Sequence, residues 1–246
     1  MLVPDHFPPP AEYPKPLEQE INTIYRDIIE RIRAAATLTR VLEGQSARCE
    51  AIYTTYYAEC TEHKGKKDIL EKVASTAKMA LLDIEWELDK RLTINQLQIM
   101  YVSILQFVNL SPEDDLEDLN PEQEGITEIS LALAKQAKGI LDIAIINIDE
   151  ALDKGRLTNA AMDAQIQLVQ VRSSLVKEKT FYQLETLVEQ ILKQEENFSE
   201  KGLEISKILG ETRALLFLED ENEIITPEKA TKIIVEFSKR LSALEK

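Results

Sequence analysis

Cys60 and His63 are the residues whose types and spacing best fit chemistry. At i, i+3 on a helix they share one face, with Glu59 beside them. Such a pair is half of a zinc site that another chain would complete, because zinc takes thiolate and imidazole ligands. It also fits a reactive thiolate, since a neighbouring imidazolium lowers a cysteine pKa. The same two residues end a stripe of Cys49, Tyr53, Tyr56, Cys60 and His63, spaced 4, 3, 4 and 3 apart. That spacing describes the core face of a helix, and cysteine is among the most buried residue types. The core reading is preferred, and no catalytic residue, metal ligand or cofactor is assigned.

The remaining inventory points away from catalysis. Only two histidines occur, His6 and His63. A di-iron bundle needs two Glu-x-x-His pairs, and the residues three before these histidines are Val3 and Cys60. The glycine-rich phosphate loops and the G-x-S-x-G nucleophile elbow are missing, and so is C-x-x-C. Paired acids such as Glu85 and Asp89 are plentiful, but at helical spacing they fit a solvated face. The acidic stretch 111–125 lacks the D-x-[DN]-x-[DN]-G calcium loop.

The elements that would position these residues are helical almost throughout. Residues 1–16 stand apart, with six of the nine prolines. They form an extended proline-rich arm whose Phe7, Pro8, Pro9, Pro10 and Tyr13 are candidate protein-binding residues. From Leu17, the apolar residues Ile21, Ile24, Ile28, Ala35, Leu38 and Leu42 make one helical stripe that Gly44 ends. Ser46 caps a second helix, which the HKGKK turn at 63–67 breaks. A third helix carries Leu70, Val73, Ala77, Leu81, Ile84 and Leu88, and Thr93 with Gln96 makes a capping box for a fourth.

Residues 111–125 are an acidic linker, with Ser111-Pro112 and Asn120-Pro121 as cap-and-proline pairs and one helical turn expected between them. The next helix, from Ile126 to Leu152, has an apolar centre on several faces and is expected to be the most buried. Thr158 starts a long helix to about Gln194, with a stripe of Met162, Ile166, Val169, Val176, Leu184, Leu187 and Ile191 that shifts phase near Thr180. A break at 197–202 precedes a helix through Leu218, and Thr226-Pro227 opens the last one. LDKRLT at 88–93 echoes LDKGRLT at 152–158, and both are expected to be tight turns between helices. The fold class is therefore all-α: an elongated bundle of about eight long antiparallel helices. It forms one domain over 17–246, with a possible sub-boundary at 111–125.

The 246 residues hold 29 Lys and Arg against 44 Asp and Glu, a net charge of −15. Nucleic acid is therefore not expected as a partner. Residues 111–125 contribute seven acids and 219–223 four, so the helices are close to neutral. Cys49 and Cys60 are eleven residues apart on one helix, roughly 16 Å, too far for a disulfide. Free thiols and the lack of a leader sequence suggest a cytoplasmic protein.

Together these features describe a non-catalytic helical interaction or assembly protein, a scaffold or adaptor. Its expected partner is another protein or a second copy of itself, met through helix faces and the arm. One alternative is a membrane-active or pore-forming protein. Its inserting helix would be the uncharged segment 92–112, with Ile94, Leu97, Met100, Tyr101, Ile104, Leu105, Phe107 and Val108 as candidates. Another is a helical enzyme with carboxylate or Cys/His chemistry.

Overall fold

A computed structural model describes residues 15–35, 39–124, 126–194, 200–217 and 224–244. These residues are all-helical and contain no strand. The helices are α1 (Lys15–Ala34), α2 (Thr39–Glu62), α3 (Lys67–Phe107), α4 (Pro121–Glu124), α5 (Glu128–Asp149), α6 (Lys154–Gln194), α7 (Glu200–Phe217) and α8 (Pro227–Leu244). Among the described residues seven are long and α4 is a single turn, against the expected eight or so. Of the proline-rich arm, residues 1–14 lie outside the described residues, and Lys15 and Pro16 already belong to α1, where proline is tolerated in the first turn.

The loss of one helix has a local cause. The capping box expected at Thr93 does not form, because α3 runs through it. The Thr93 hydroxyl instead donates to the Asp89 carbonyl four residues back, at 2.8 Å, the bond of a threonine inside a helix. The first LDK echo is therefore helical. The second is a true turn: Asp153 Oδ1 accepts from the Arg156 amide at 2.9 Å and caps α6. That helix consequently starts at Lys154 rather than at Thr158.

Contacts divide the chain into two compact units, Met1–Thr93 and Ile94–Lys246. The division falls within α3, and the acidic connection 111–125 belongs to the second unit. In the first unit, α1, α2 and the first part of α3 enclose Ile21, Ile28, Cys49, Cys60, Leu81, Ile84 and Leu88, all buried. Glu18 in the first turn of α1 and Arg31 and Arg33 in its last turn match the helix dipole. Arg31 also bonds Asp89 and lies 3.7 Å from Glu85, while Glu20 takes Lys78 at 2.5 Å. These ion pairs fix how α1 lies along α3. Between α2 and α3, the Lys66 amide donates to the His63 carbonyl, and Gly65 adopts φ +82°, a turn conformation that favours glycine.

In the second unit α3 ends in a Schellman motif. Asn109 takes φ 62°, the Leu110 amide donates to the Leu105 carbonyl, and the Asn109 amide donates to that of Gln106. Leu105 and Leu110 are both buried, which supplies the apolar contact usual for this motif. The acidic connection that follows is pinned by buried Leu116 and by Lys135, whose ammonium meets Glu117 at 3.1 Å. Asn120 accepts from the Glu122 amide, so Asn120-Pro121 opens α4 as its sequence implies, after both cap-and-proline pairs rather than between them.

Thr127 caps α5 by accepting from the Ser130 amide at 3.0 Å. The helix then doubles back onto α6 along a seam of small residues. Ala134, Ala137 and Ala144 of α5 and Ala161 and Ala164 of α6 are all buried, and Leu141, Ile148, Leu157 and Leu168 fill the layers between. Small side chains let two helices approach closely. The seam corrects two expectations. Met162 and Ile166 are about half exposed, because the alanine face of α6 turns inward instead. Helix α5 is not buried on all sides, because Ile129, Ile143 and Ile146 are exposed on its outer face.

Helix α6 is continuous over 41 residues, roughly 60 Å. Its buried face changes where Leu175, Val176 and Lys177 are buried in succession, a little before the expected Thr180. Beyond that point Leu184 and Val188 pack with Ile205, Ile208 and Leu216 of α7 and Phe237 and Leu241 of α8. The Ile225 amide donates to Ser173 Oγ at 2.8 Å, which ties the start of α8 to the middle of α6. Thr226 accepts from the Lys229 amide and caps α8 as expected. The expected break at 197–202 lies partly outside the described residues, and α7 is already helical at Glu200.

Gly44 does not end a helix; it lies inside α2 with open space where a Cβ would stand. Ser46 is likewise interior. Gly44→Ala should therefore stabilise the protein by about 0.5–1 kcal/mol in urea unfolding, since alanine removes the backbone entropy cost of a helical glycine. A loss of stability would mean that Gly44 needs a conformation only glycine accepts.

Candidate functional site

The α2 stripe is built as a core face. Tyr25 of α1 stacks on Tyr53 with ring centres 4.3 Å apart, and the Tyr53 hydroxyl donates to Asn22 Oδ1 at 2.6 Å. Cys49 and Cys60 are free and buried. Burial, with Glu50 nearby, pushes the Cys49 thiol up to about 12. A thiol so shifted stays protonated at neutral pH, the opposite of the shift that activates a cysteine. The Tyr56 hydroxyl is enclosed against Cys60, and its pKa is raised, first by burial and then by that thiol. Burial raises Tyr25 and Tyr53 in the same direction.

His63 Nε2 lies 3.4 Å from Glu59 Oε2, one helical turn back, so the imidazole is oriented by that carboxylate. Its Nδ1 is enclosed without a hydrogen-bond partner among the described residues. Among those residues no group of three or more His, Cys, Asp or Glu gathers as a metal site would require. The paired acids Glu85 and Asp89 both face Arg31, which makes them the receiving end of the α1–α3 clamp. Trp86, next to them, lies under the Lys90 ammonium at 5.4 Å.

One cleft opens on this stripe. It measures about 480 Å³ and lies between α2 and α3, with Ile52, Tyr56, Val73 and Ala77 on its apolar walls and Glu59 and Lys72 among its polar lining. Its titratable lining residues are Tyr56, Glu59 and Lys72. Tyr56, which the helical spacing places on the core face, also lines this cleft. Ala51, Ala77 and Ala80 also line it; their small size leaves the space, and small residues carry little hydrophobic signal.

The membrane-insertion candidates lie on α3 and just beyond it. Leu97, Tyr101, Ile104, Leu105 and Val108 are buried in the second unit, while Ile94, Met100 and Phe107 are partly buried. Phe107 packs against Val176, Ile225 and Ala230 and carries the Lys179 ammonium at 4.7 Å. No helix among the described residues is long and apolar enough to cross a membrane. The arm candidates Phe7, Pro8, Pro9, Pro10 and Tyr13 lie outside the described residues.

Leu152 and Leu203 are the most exposed large apolar residues among the described ones, each standing singly, whereas on α5 several exposed isoleucines share one face. On α5 the relative exposures of Ile129, Ile143 and Ile146 are 54%, 62% and 56%. They occupy the face opposite the alanine seam and line up along the helix with Ala132, Gln136 and Gly139, which are also exposed. The sequence signal for this surface was the apolar centre of α5, which reads equally well as a fully buried helix. No protein-family model matches the chain, and no curated protein or solved structure is significantly similar to it.

The buried thiol and phenols predict a pH dependence. An unfolded cysteine loses its proton near 9.0, whereas folded Cys49 holds it to about 12. Across that window the folded state binds the extra proton, so stability is full below pH 9 and falls as pH rises, by up to about 1.4 kcal/mol per pH unit for one group. Thermal melts from pH 8 to 11 should show the fall, with a shallower slope for Cys49→Ala. An unchanged slope in that variant would mean that Cys49 ionises freely in the fold.

Proposed function

We propose that the chain is a non-catalytic helical interaction or assembly protein, a scaffold or adaptor that works through a helix face. The observation that carries this is the exposed apolar stripe on the outer face of α5. Single exposed apolar residues are ordinary on a surface, but aligned isoleucines at helical spacing form a partner face. Its setting supports the reading. The acidic connection is held at the side of α5 through Lys135 and Glu117, and charged side chains border the stripe. The arrangement has an apolar centre with a polar rim, the anatomy of protein interfaces. The partner is a protein, either a different one or another copy of this chain.

The test is the native size of the full chain in an extract of its source cells, compared with an Ile143→Glu, Ile146→Glu variant. The wild type should elute well above its 28.0 kDa chain mass, and the variant should shift to lower mass while keeping its helical circular dichroism. Elution of the wild type at the mass of a single chain would sink the proposal.

A further inference from the structure

We infer that α5 is a self-pairing helix: it packs antiparallel on α5 of a second copy, about a two-fold axis that passes between Ala137 and Lys138. This rests on the reading of the chain as an interaction protein and names the partner. The outer stripe is Ile129, Ala132, Gln136, Gly139, Ile143 and Ile146, spaced 3, 4, 3, 4 and 3 apart. That spacing is the seam of a coiled coil, and it is the same in both directions along the helix. A reversed copy therefore sets Ile129 on Ile146, Ala132 on Ile143, and Gln136 on Gly139.

The sizes match at each layer. Isoleucine meets isoleucine at the ends, and in the inner layers a long side chain faces a short one. Open space stands where a Cβ of Gly139 would be, so Gln136 of the second copy has room there. The flanks also match. In an antiparallel pair, one flank brings Lys135, whose ammonium also meets Glu117 of its own chain, opposite Asp142 of the second copy, and symmetry makes that contact twice. The other flank brings partly buried Leu133 opposite partly buried Ile140. Glu128 and Asp149 form a like-charged pair at the two ends, where solvent and salt screen them. A two-fold contact of this kind closes on itself, so assembly stops at the dimer. One helix per chain makes a small interface, which corresponds to a dissociation constant on the order of micromolar.

Sedimentation equilibrium of the purified full chain, from about 1 to 200 μM, reads the affinity that this interface size implies. The mass should rise toward twice the 28.0 kDa chain mass. Ile143→Glu should weaken dimerisation about 100-fold by burying a carboxylate against Ala132. Its unchanged circular dichroism would show that the fold survives. Register is read by disulfide formation. An equimolar mixture of Ile129→Cys and Ile146→Cys chains should cross-link under mild oxidation, whereas either variant alone should not.

A monomer at every concentration overturns the self-pairing and leaves the interaction reading to stand or fall on the extract experiment. A dimer untouched by Ile143→Glu overturns the choice of face. Cross-linking of Ile129→Cys with itself overturns the antiparallel register.

Discussion

Helix α6 has to satisfy two sets of neighbours without a break, and the second unit depends on it. Its first half faces α5 through alanines, and its second half faces α7 and α8 through Leu184 and Val188. One straight helical stripe cannot do both, because the buried face must rotate between them. The rotation occurs at Leu175–Lys177, where three successive residues are buried. Ser173 and Thr180 are buried there too, and both are bonded within reach: Ser173 accepts from the Ile225 amide, and Thr180 donates to the Val176 carbonyl at 2.6 Å. Without those bonds the change of face would strand polar atoms in the core.

The alanine seam also decides what α5 shows to solvent. Close approach to α6 requires small residues on the inner face, so the bulky apolar residues of α5 have no place there. Ile129, Ile143 and Ile146 are left outside. Exposed isoleucine is a liability for a protein that works alone, and a means of recognition for one that does not. The same packing rule thus produces both the buried alanine seam and the exposed isoleucine face.

The first unit shows how residue types that could do chemistry are drawn into a core. Cys49, Tyr53, Tyr56 and Cys60 are brought together by helical spacing and then enclosed by α1. The aromatic stack on Tyr25 and the Arg31 and Glu20 ion pairs with α3 hold that helix in place. Enclosure favours the neutral forms, which is the opposite of what thiolate chemistry requires.

Some of this was decided by the sequence alone. All-helical structure, the turn at Gly65, the caps at Asn120 and Thr226, and the continuity of α6 to Gln194 follow from periodicity and cap chemistry, which are local properties of the chain. Other features needed the tertiary fold. Thr93 fits a cap as well as it fits a helix interior, and its continuous helix, like that of Gly44, is not distinguished by neighbouring residues. Periodicity weights large side chains, so it selected Met162 and Ile166 as the inner face of α6, whereas the fold turned its alanines inward. Whether an apolar helix face meets the core or the solvent depends on what packs across it, and in α5 that was settled by the size of the residues on the opposite side.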